Sequence, residues 1–286
     1  MPSRFLPPDW DPSASIVILA GQGGGGSYPW ELIQAARSQG ARLKLLALKN
    51  ETSPELEKLF KPEDVKRAAV WEIGGMLDCI QKMNATMNVK GLIMAGRVNT
   101  GHVFKDFFPD LKAMAIWAGL KEKNAETIFG ALCAEIEKIG VRVLDARSFM
   151  DGQIAQKGVM IQGKEKVSQE AIAHAIKIAE AMAQNDVGQS VVARKGTVLA
   201  VEAFEGTDAM ISRAGQYKAD CKIFVKTIKN RQDWRFDAPI FGEKTLELLA
   251  ANAIKTAVLK ADGVIMPQKE KIIVEAALDG TTVIGY

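Results

Sequence analysis

Cysteine and histidine are scarce in this chain of 286 residues, and each scarcity closes off a class of chemistry. The three cysteines, Cys79, Cys133 and Cys221, lie far apart without metal-ligand spacing, so they read as reduced thiols of a cytoplasmic protein. The two histidines, His102 and His174, are a poor basis for a histidine-bound zinc or a Ser-His-Asp triad, and His174 falls in an Ala-rich helical pattern. No run approaches the roughly 18 to 20 apolar residues that cross a bilayer. At the N-terminus, MPSRFLPPDWDPSAS places prolines where a signal peptide needs an unbroken apolar stretch. Membrane contact is therefore expected to be peripheral. A strong charge is missing too: the formal net charge is +3, and without a long Lys/Arg run this speaks against nucleic acid as a partner.

What is present points to an α/β protein. The length exceeds what one ordinary core needs, so two domains are expected, residues 1–145 and 146–286. Ser15–Ala20 (SIVILA) is a continuous apolar run that ends in GQGGGG, ahead of a helix starting near Pro29. This order suits an anion, because glycines let a ligand approach the backbone and a helix N-terminus offers unpaired N–H groups. As a cofactor motif it is incomplete. It lacks the Lys-Ser/Thr of a P-loop, and no acidic residue ends the next strand at 42–47 to hold a dinucleotide ribose. A tight turn without a ligand is the plain alternative.

Further strand patterns at 68–73, 91–95 and 141–144 alternate with helical ones at 54–60, 76–83, 111–119 and 125–139. Such alternation predicts an N-terminal Rossmann-like parallel sheet with ligands beyond the carboxyl ends of its strands. Gly21 and Gly96-Arg97 mark two such ends, so Arg97 either faces the same ligand as the glycine loop or is a surface arginine. The second half reads as a mixed α/β domain. It has a long helix at 168–184, two strands joined at Arg194-Lys195-Gly196, helices near 243–253 and 269–278, and strands at 256–259 and 281–284.

The densest chemistry lies between residues 197 and 242. Thr197–Val201 alternates like a strand, and Thr207 is an acceptable N-cap for a short helix carrying Asp208 in its first turn. Glu202, Glu205 and Asp208 thus crowd one strand-to-helix turn, where carboxylates repel unless cations or donors offset them. Lys226, Lys229, Arg231 and Arg235 follow, interleaved with Asp233 and Asp237. Acids and bases mixed in this way suit phosphoryl chemistry, one set neutralising phosphate oxygens while the other holds a metal or activates water. A solvated charged face is the bland alternative.

The runs VLAVEAFEGTDAM, DVGQSVV (186–192) and KNRQDWRFDAPIFG resemble the UDP-2,3-diacylglucosamine pyrophosphatase family of lipid A biosynthesis, the LpxI type. Gln232, Asp233, Arg235, Asp237, Pro239 and Gly242 fit the family pattern, and Asn230 stands where a proline is usual. Near the N-terminus Gly21, Gly23 and Pro29 match its strand, glycine loop and helix start across a glycine insertion. The resemblance is strong over 186–242 and collinear elsewhere.

What the resemblance implies is hydrolysis of UDP-2,3-diacylglucosamine to UMP and 2,3-diacylglucosamine 1-phosphate (lipid X), with water entering at the α-phosphorus and Mg²⁺ or Mn²⁺ assisting. It makes Asp237 the first choice for the essential carboxylate, with Asp233 and Asp208 as further catalytic residues. Asp237, Asp208 and Glu205 become the candidate metal ligands. Lys226, Lys229, Arg235 and Gln232 are candidate substrate contacts, together with Gly206 and Thr207 at the helix start and Gly21, Gly23, Tyr28, Gly96 and Arg97 in the first domain. Residues 104–114 and 149–160, rich in Met and Phe, are candidates to shield the acyl chains, with ordinary core as their alternative. The expected setting is cytoplasmic, peripheral on the inner membrane through the lipid substrate, and a second copy of the chain is a candidate partner. Two other classes stand beside this one. A non-catalytic sugar-nucleotide or lipid-binding protein would show no metal-dependent UMP release. A nicotinamide-linked dehydrogenase, suggested by the glycine loop alone, would be stabilised by dinucleotide.

Overall fold

The computed structural model describes residues 3–98, 109–122 and 125–286. The chain forms two compact units, and the division differs from the expected break after residue 145. The first unit runs to Asp151 and also takes in Trp234–Asp237, while the second comprises Gly152–Asp233 and Ala238–Tyr286. Residues 146–151 stay with the first unit, tied to it by the Tyr28 hydroxyl on the Ala146 carbonyl and by the Phe149 N–H, which donates to Ser3 Oγ at 2.9 Å. The reason for the return of Trp234–Asp237 is local, and it bears on the site.

In the first unit β1 (Ser15–Ala20), β2 (Arg42–Leu48), β3 (Val65–Ala68), β4 (Val89–Ala95) and β5 (Arg142–Val143) form one sheet in the order β3-β2-β1-β4-β5. Every pairing is parallel. All six residues of β1 are buried, which is why that strand reads as an unbroken apolar run instead of an alternating one. The helices are α1 (Tyr28–Ser38), α2 (Pro54–Glu57), α3 (Ile73–Met87), α4 (Leu111–Gly119) and α5 (Ala125–Lys138). α3 starts earlier than its pattern suggests and displaces the strand expected at 68–73 to Val65–Ala68. Asp110 explains part of this start. Its Oδ2 accepts from the Gly74 and Gly75 N–H groups at 2.7 and 3.3 Å, and its Oδ1 caps α4 by accepting from Ala113 N at 2.8 Å. Leu132 and Ile136 of α5 pack into this core as their spacing predicts.

The second unit holds β6 (Gly158–Ile161), β7 (Ser190–Arg194), β8 (Thr197–Val201), β9 (Lys222–Lys226), β10 (Thr256–Leu259) and β11 (Thr282–Gly285), in the order β6-β11-β10-β9-β7-β8. β9, β10 and β11 run parallel, whereas β7 pairs antiparallel with β8 and β9, and β6 with β11. β7 and β8 are joined at Lys195 and Gly196, whose φ of 44° and 83° supply the left-handed pair that a two-residue hairpin needs. α6 (Gln169–Gln184) packs Ala175 and Ala179 with Val191, Ile223 and Val225. A second cluster joins α7 (Gly206–Gly215), α8 (Glu243–Ala251) and α9 (Lys269–Asp279) to Phe224, Val192 and Leu259. Phe224 and Phe241 are fully buried in that second cluster, so truncating either ring to alanine would cost about 3–5 kcal/mol. None of the described helices is long and apolar enough to cross a membrane.

Candidate active site

In the first unit the order β3-β2-β1-β4-β5 reverses between β1 and β4, and the loops leaving those two strands meet. Gln22 N donates to the Arg97 carbonyl at 2.7 Å, and Gly21 N to the Ala95 carbonyl at 2.8 Å. The approach is close enough to demand glycine: a Cβ on Gly21 would lie 2.3 Å from the Arg97 oxygen, and one on Gly96, at φ 96°, would lie 2.6 Å from the Gln22 oxygen. Gly21, Gly96 and Arg97 are thus brought together, with the Arg97 side chain exposed. Gly23 belongs to the same loop, whose carbonyls are tied down by hydroxyls. Ser53 Oγ donates to Gly23 O and Ser27 Oγ to Gly24 O, each at 2.6 Å, and Thr52 Oγ1 donates to Ala20 O. Ser27 makes no side-chain cap at the start of α1, so the first N–H groups of that helix are left to other acceptors.

Tyr28 does not belong to this surface, contrary to its expected role as a substrate contact. Its ring is buried and its hydroxyl donates to the Ala146 carbonyl at 2.5 Å. Burial, with the Asp145 charge nearby, pushes its phenol well above the usual range.

Trp234–Asp237 is seated on the first unit by its alternate residues. The Trp234 carbonyl accepts from Ala146 N at 2.7 Å, the Arg147 guanidinium lies 3.4 Å from the Trp234 ring centroid, and Phe236 stacks on Phe129 at 5.6 Å. Residues 234–236 form a turn, so Arg235 and Asp237 do not lie two apart on an extended segment. Arg235, expected at a phosphate, lies 3.4 Å from Glu137 Oε1 in a pair exposed enough to be easily exchanged. The carboxylates expected to act together are divided between units, Asp237 in the first and Glu205, Asp208 and Asp233 in the second.

In the second unit, the end of the sheet where β8 and β9 finish and β7 begins carries a buried polar network. Lys226 is 6% exposed, and its Nζ donates to Ser190 Oγ at 3.2 Å and to Thr207 Oγ1 at 3.1 Å. Thr207 in turn donates to Glu202 Oε1 at 2.7 Å. Glu202 Oε2 is buried without a hydrogen-bond partner among the described residues. Thr207 is therefore not the N-cap that its spacing suggests. Gly206 opens α7 at φ 81°, a left-handed turn that places Thr207 inside the helix, and its single hydroxyl proton is committed to Glu202. Lys226 and Thr207, both candidate substrate contacts, are engaged here as an internal strut.

Around this strut the charges are paired. Asp208 Oδ2 is 2.7 Å from Lys244 Nζ, and Glu205 meets Arg213, whose guanidinium holds the carboxyl below its usual range. Lys229 Nζ is 2.5 Å from Asp186 Oδ1, while Lys229 N donates to Gln232 Oε1 at 2.8 Å, so Gln232 shapes the turn that carries Lys229. Among the described residues no three His, Cys, Asp or Glu side chains gather as a metal cage. The donor set still suits Mg²⁺ or Mn²⁺, since Glu205 and Asp208 offer hard, partly exposed oxygens and Mg²⁺ ordinarily takes one or two carboxylates plus substrate phosphates.

Of the stretches proposed for acyl chains, 149–160 contributes Phe149, Met150, Ile154 and Ala155 to the cores of the two units. Residues 99–108 lie outside the described residues, and with them His102 and the first part of 104–114. The contacts of Ser190 with Lys226 and of Arg147 with Trp234 were not legible in the sequence. DVGQSVV marked the neighbourhood of Ser190, but no sequence signal tied Arg147 to residue 234.

A two-domain α/β protein with a glycine loop at the turning point of one sheet and a charged strand-to-helix turn on the other is the class these observations define. Residues 15–153 match the family model "LpxI N-terminal domain" and residues 156–284 match "LpxI C-terminal domain". A curated relative, the UDP-2,3-diacylglucosamine pyrophosphatase LpxI of Caulobacter vibrioides, is 26% identical over 276 residues, 92% of this chain and 95% of the relative. The chain belongs to the LpxI family.

Proposed function

We propose that the chain hydrolyses UDP-2,3-diacylglucosamine to UMP and lipid X, a step of lipid A biosynthesis. The observation that carries this reading is the match of both domain models together with a relative of that name collinear over nearly the whole chain. In the reaction a water oxygen bonds to the α-phosphorus, the bond from that phosphorus to the bridging oxygen breaks, and the leaving phosphate departs with lipid X. Two adjacent phosphates concentrate negative charge, so the site must supply donors and cations before the barrier falls. The unpaired N–H groups at the start of α1 and the exposed Arg97 are suited to phosphate oxygens. Asp237 is the carboxylate proposed to orient the attacking water and accept its proton. A divalent ion held by Asp237, Asp208 or Glu205 would neutralise phosphate oxygens. Because the substrate is a two-chain lipid, the protein is proposed to work peripherally at a cytoplasmic membrane surface.

The test is incubation of the purified chain with UDP-2,3-diacylglucosamine and Mg²⁺ or Mn²⁺ in ¹⁸O-water. UMP carrying the label is expected, with loss of turnover on chelation. Label in lipid X would overturn attack at the α-phosphorus, and no UMP at all would overturn the activity.

A further inference from the structure

Along the chain Arg147 lies far from the motifs that define the charged stretch, yet its side chain is heavily engaged. Its guanidinium lies over two rings, 3.4 Å from the Trp234 centroid and 4.4 Å from the Phe5 centroid. The edge of the same group grips Asp145, with Nε 3.0 Å from Oδ1 and one terminal nitrogen 2.6 Å from Oδ2. Asp145 Oδ1 also accepts from the Arg147 backbone N–H at 2.7 Å, which fixes the turn that presents the side chain. The residue between them is held on both sides, its carbonyl by the Tyr28 hydroxyl at 2.5 Å and its N–H by the Trp234 carbonyl at 2.7 Å. The result is a rigid socket at 145–147, and what it receives is the first residue of Trp234–Asp237.

We propose that Arg147 is a positioning residue, seating Trp234 so that the following three residues, and Asp237 among them, are held in one place. The proposal rests on Asp237 being the essential carboxylate. Segments bordering Trp234–Asp237 on both sides belong to the other unit. The grip on Trp234 thus joins the Phe236–Phe129 stack and the Arg235–Glu137 pair in tying this four-residue segment to the first unit. A planar guanidinium can stack on one ring face and bond Asp145 through its edge simultaneously, whereas a lysine ammonium cannot. Displacing a catalytic group by about 1 Å costs on the order of a hundredfold in rate, so a loosened socket should appear in kcat before KM.

The experiment compares the whole protein with Arg147→Lys, Trp234→Phe, the double variant and Asp237→Asn. Three readouts are kcat and KM on UDP-2,3-diacylglucosamine, Tm, and the rate of tryptic cleavage after Arg235. Arg147→Lys is expected to lower kcat about tenfold to a hundredfold with KM changed little, and to speed cleavage after Arg235. The double variant is expected to be no worse than the more severe single one, since both changes open the same contact. Fully additive losses, or a lowered Tm with kcat and cleavage unchanged, would overturn the proposal. If Asp237→Asn itself keeps normal kcat, the catalytic reading of Asp237 falls. The cleavage readout then decides whether Arg147 still holds the segment, and unchanged cleavage would overturn that as well.

Discussion

Where β1 and β4 end, the chain presents backbone: Gly21 and Gly96 allow two loops to touch, and hydroxyls of Ser27, Thr52 and Ser53 hold the loop carbonyls. Where β8 and β9 end, it presents side chains: Lys226, Thr207, Ser190 and Glu202 form a buried network, ringed by the exposed pairs Glu205–Arg213 and Asp208–Lys244. The two ends should therefore respond differently to mutation. A site made of backbone tolerates changes of charge and fails when an atom is added. One made of paired side chains tolerates added atoms at its rim and fails when a buried partner is taken away.

Asp237 breaks this comparison most sharply, because it is a motif residue of the second half that sits in the first unit. Asp237→Ala is expected to lower kcat by at least about a thousandfold while Tm moves little, since a catalytic carboxylate contributes to the transition state more than to the fold. The opposing reading makes Asp237 half of a structural ion pair, whose rupture would cost about 3–5 kcal/mol if buried. A variant that melts several degrees lower yet turns over normally would assign Asp237 to architecture.

Gly21→Ala tests the backbone-made end and should give the largest loss of stability among these changes. The added carbon would lie 2.3 Å from the Arg97 oxygen, a backbone atom that cannot rotate away. Forcing the two loops apart is expected to cost about 1–3 kcal/mol or more and to weaken nucleotide binding together with Tm. Arg97→Ala should lower affinity without touching Tm. If Gly21→Ala melts and binds normally, the close approach is not what organises this end.

These contrasts also explain what could be read from the amino acids alone. The parallel sheet was legible because β1 is buried along its whole length and Gly21 and Gly96 directly follow the ends of β1 and β4. The order of the second sheet was not, since β9 is a five-residue run flanked by lysines, and Lys226 there turns inward instead of capping a surface strand. Proximity along the chain grouped Glu205, Asp208 and Asp233 but gave no warning that Thr207 would spend its hydroxyl on Glu202. Nor could it show that Trp234–Asp237 packs with residues about ninety positions earlier, because an aromatic ring under an arginine leaves no periodic signature.

Thr207→Val probes the side-chain-made end at similar volume. It removes one acceptor of Lys226, which also donates to Ser190, and the donor to Glu202. A loss of about 1–3 kcal/mol is expected, with Thr207→Ser recovering most of it, as judged by chemical denaturation. Equal stability of both variants would show that water replaces the hydroxyl and that the strut is dispensable.

The rim of the same end should give the smallest effect. Lys244→Ala separates an exposed pair and is expected to cost under about 1 kcal/mol. Arg213→Ala acts on Glu205, whose carboxyl is held below its ordinary value of 4.5 chiefly by the hydrogen bond from Arg213. A folded-state value lower than the unfolded one stabilises the protein above the unfolded value, and that stabilisation fades as pH falls through the folded one. Removing Arg213 should therefore flatten a shallow acid-side decline in Tm by lowering Tm slightly at neutral pH, with little change at low pH, where Glu205 is protonated and the pair no longer contributes. The same variant frees a carboxylate, so if Glu205 takes part in holding a divalent ion, the Mg²⁺ concentration for half-maximal turnover should fall. An unchanged Mg²⁺ requirement, with the Glu205 carboxyl seen by NMR to return to its ordinary value, would remove Glu205 from the metal site and leave it as a rim charge whose partner is Arg213.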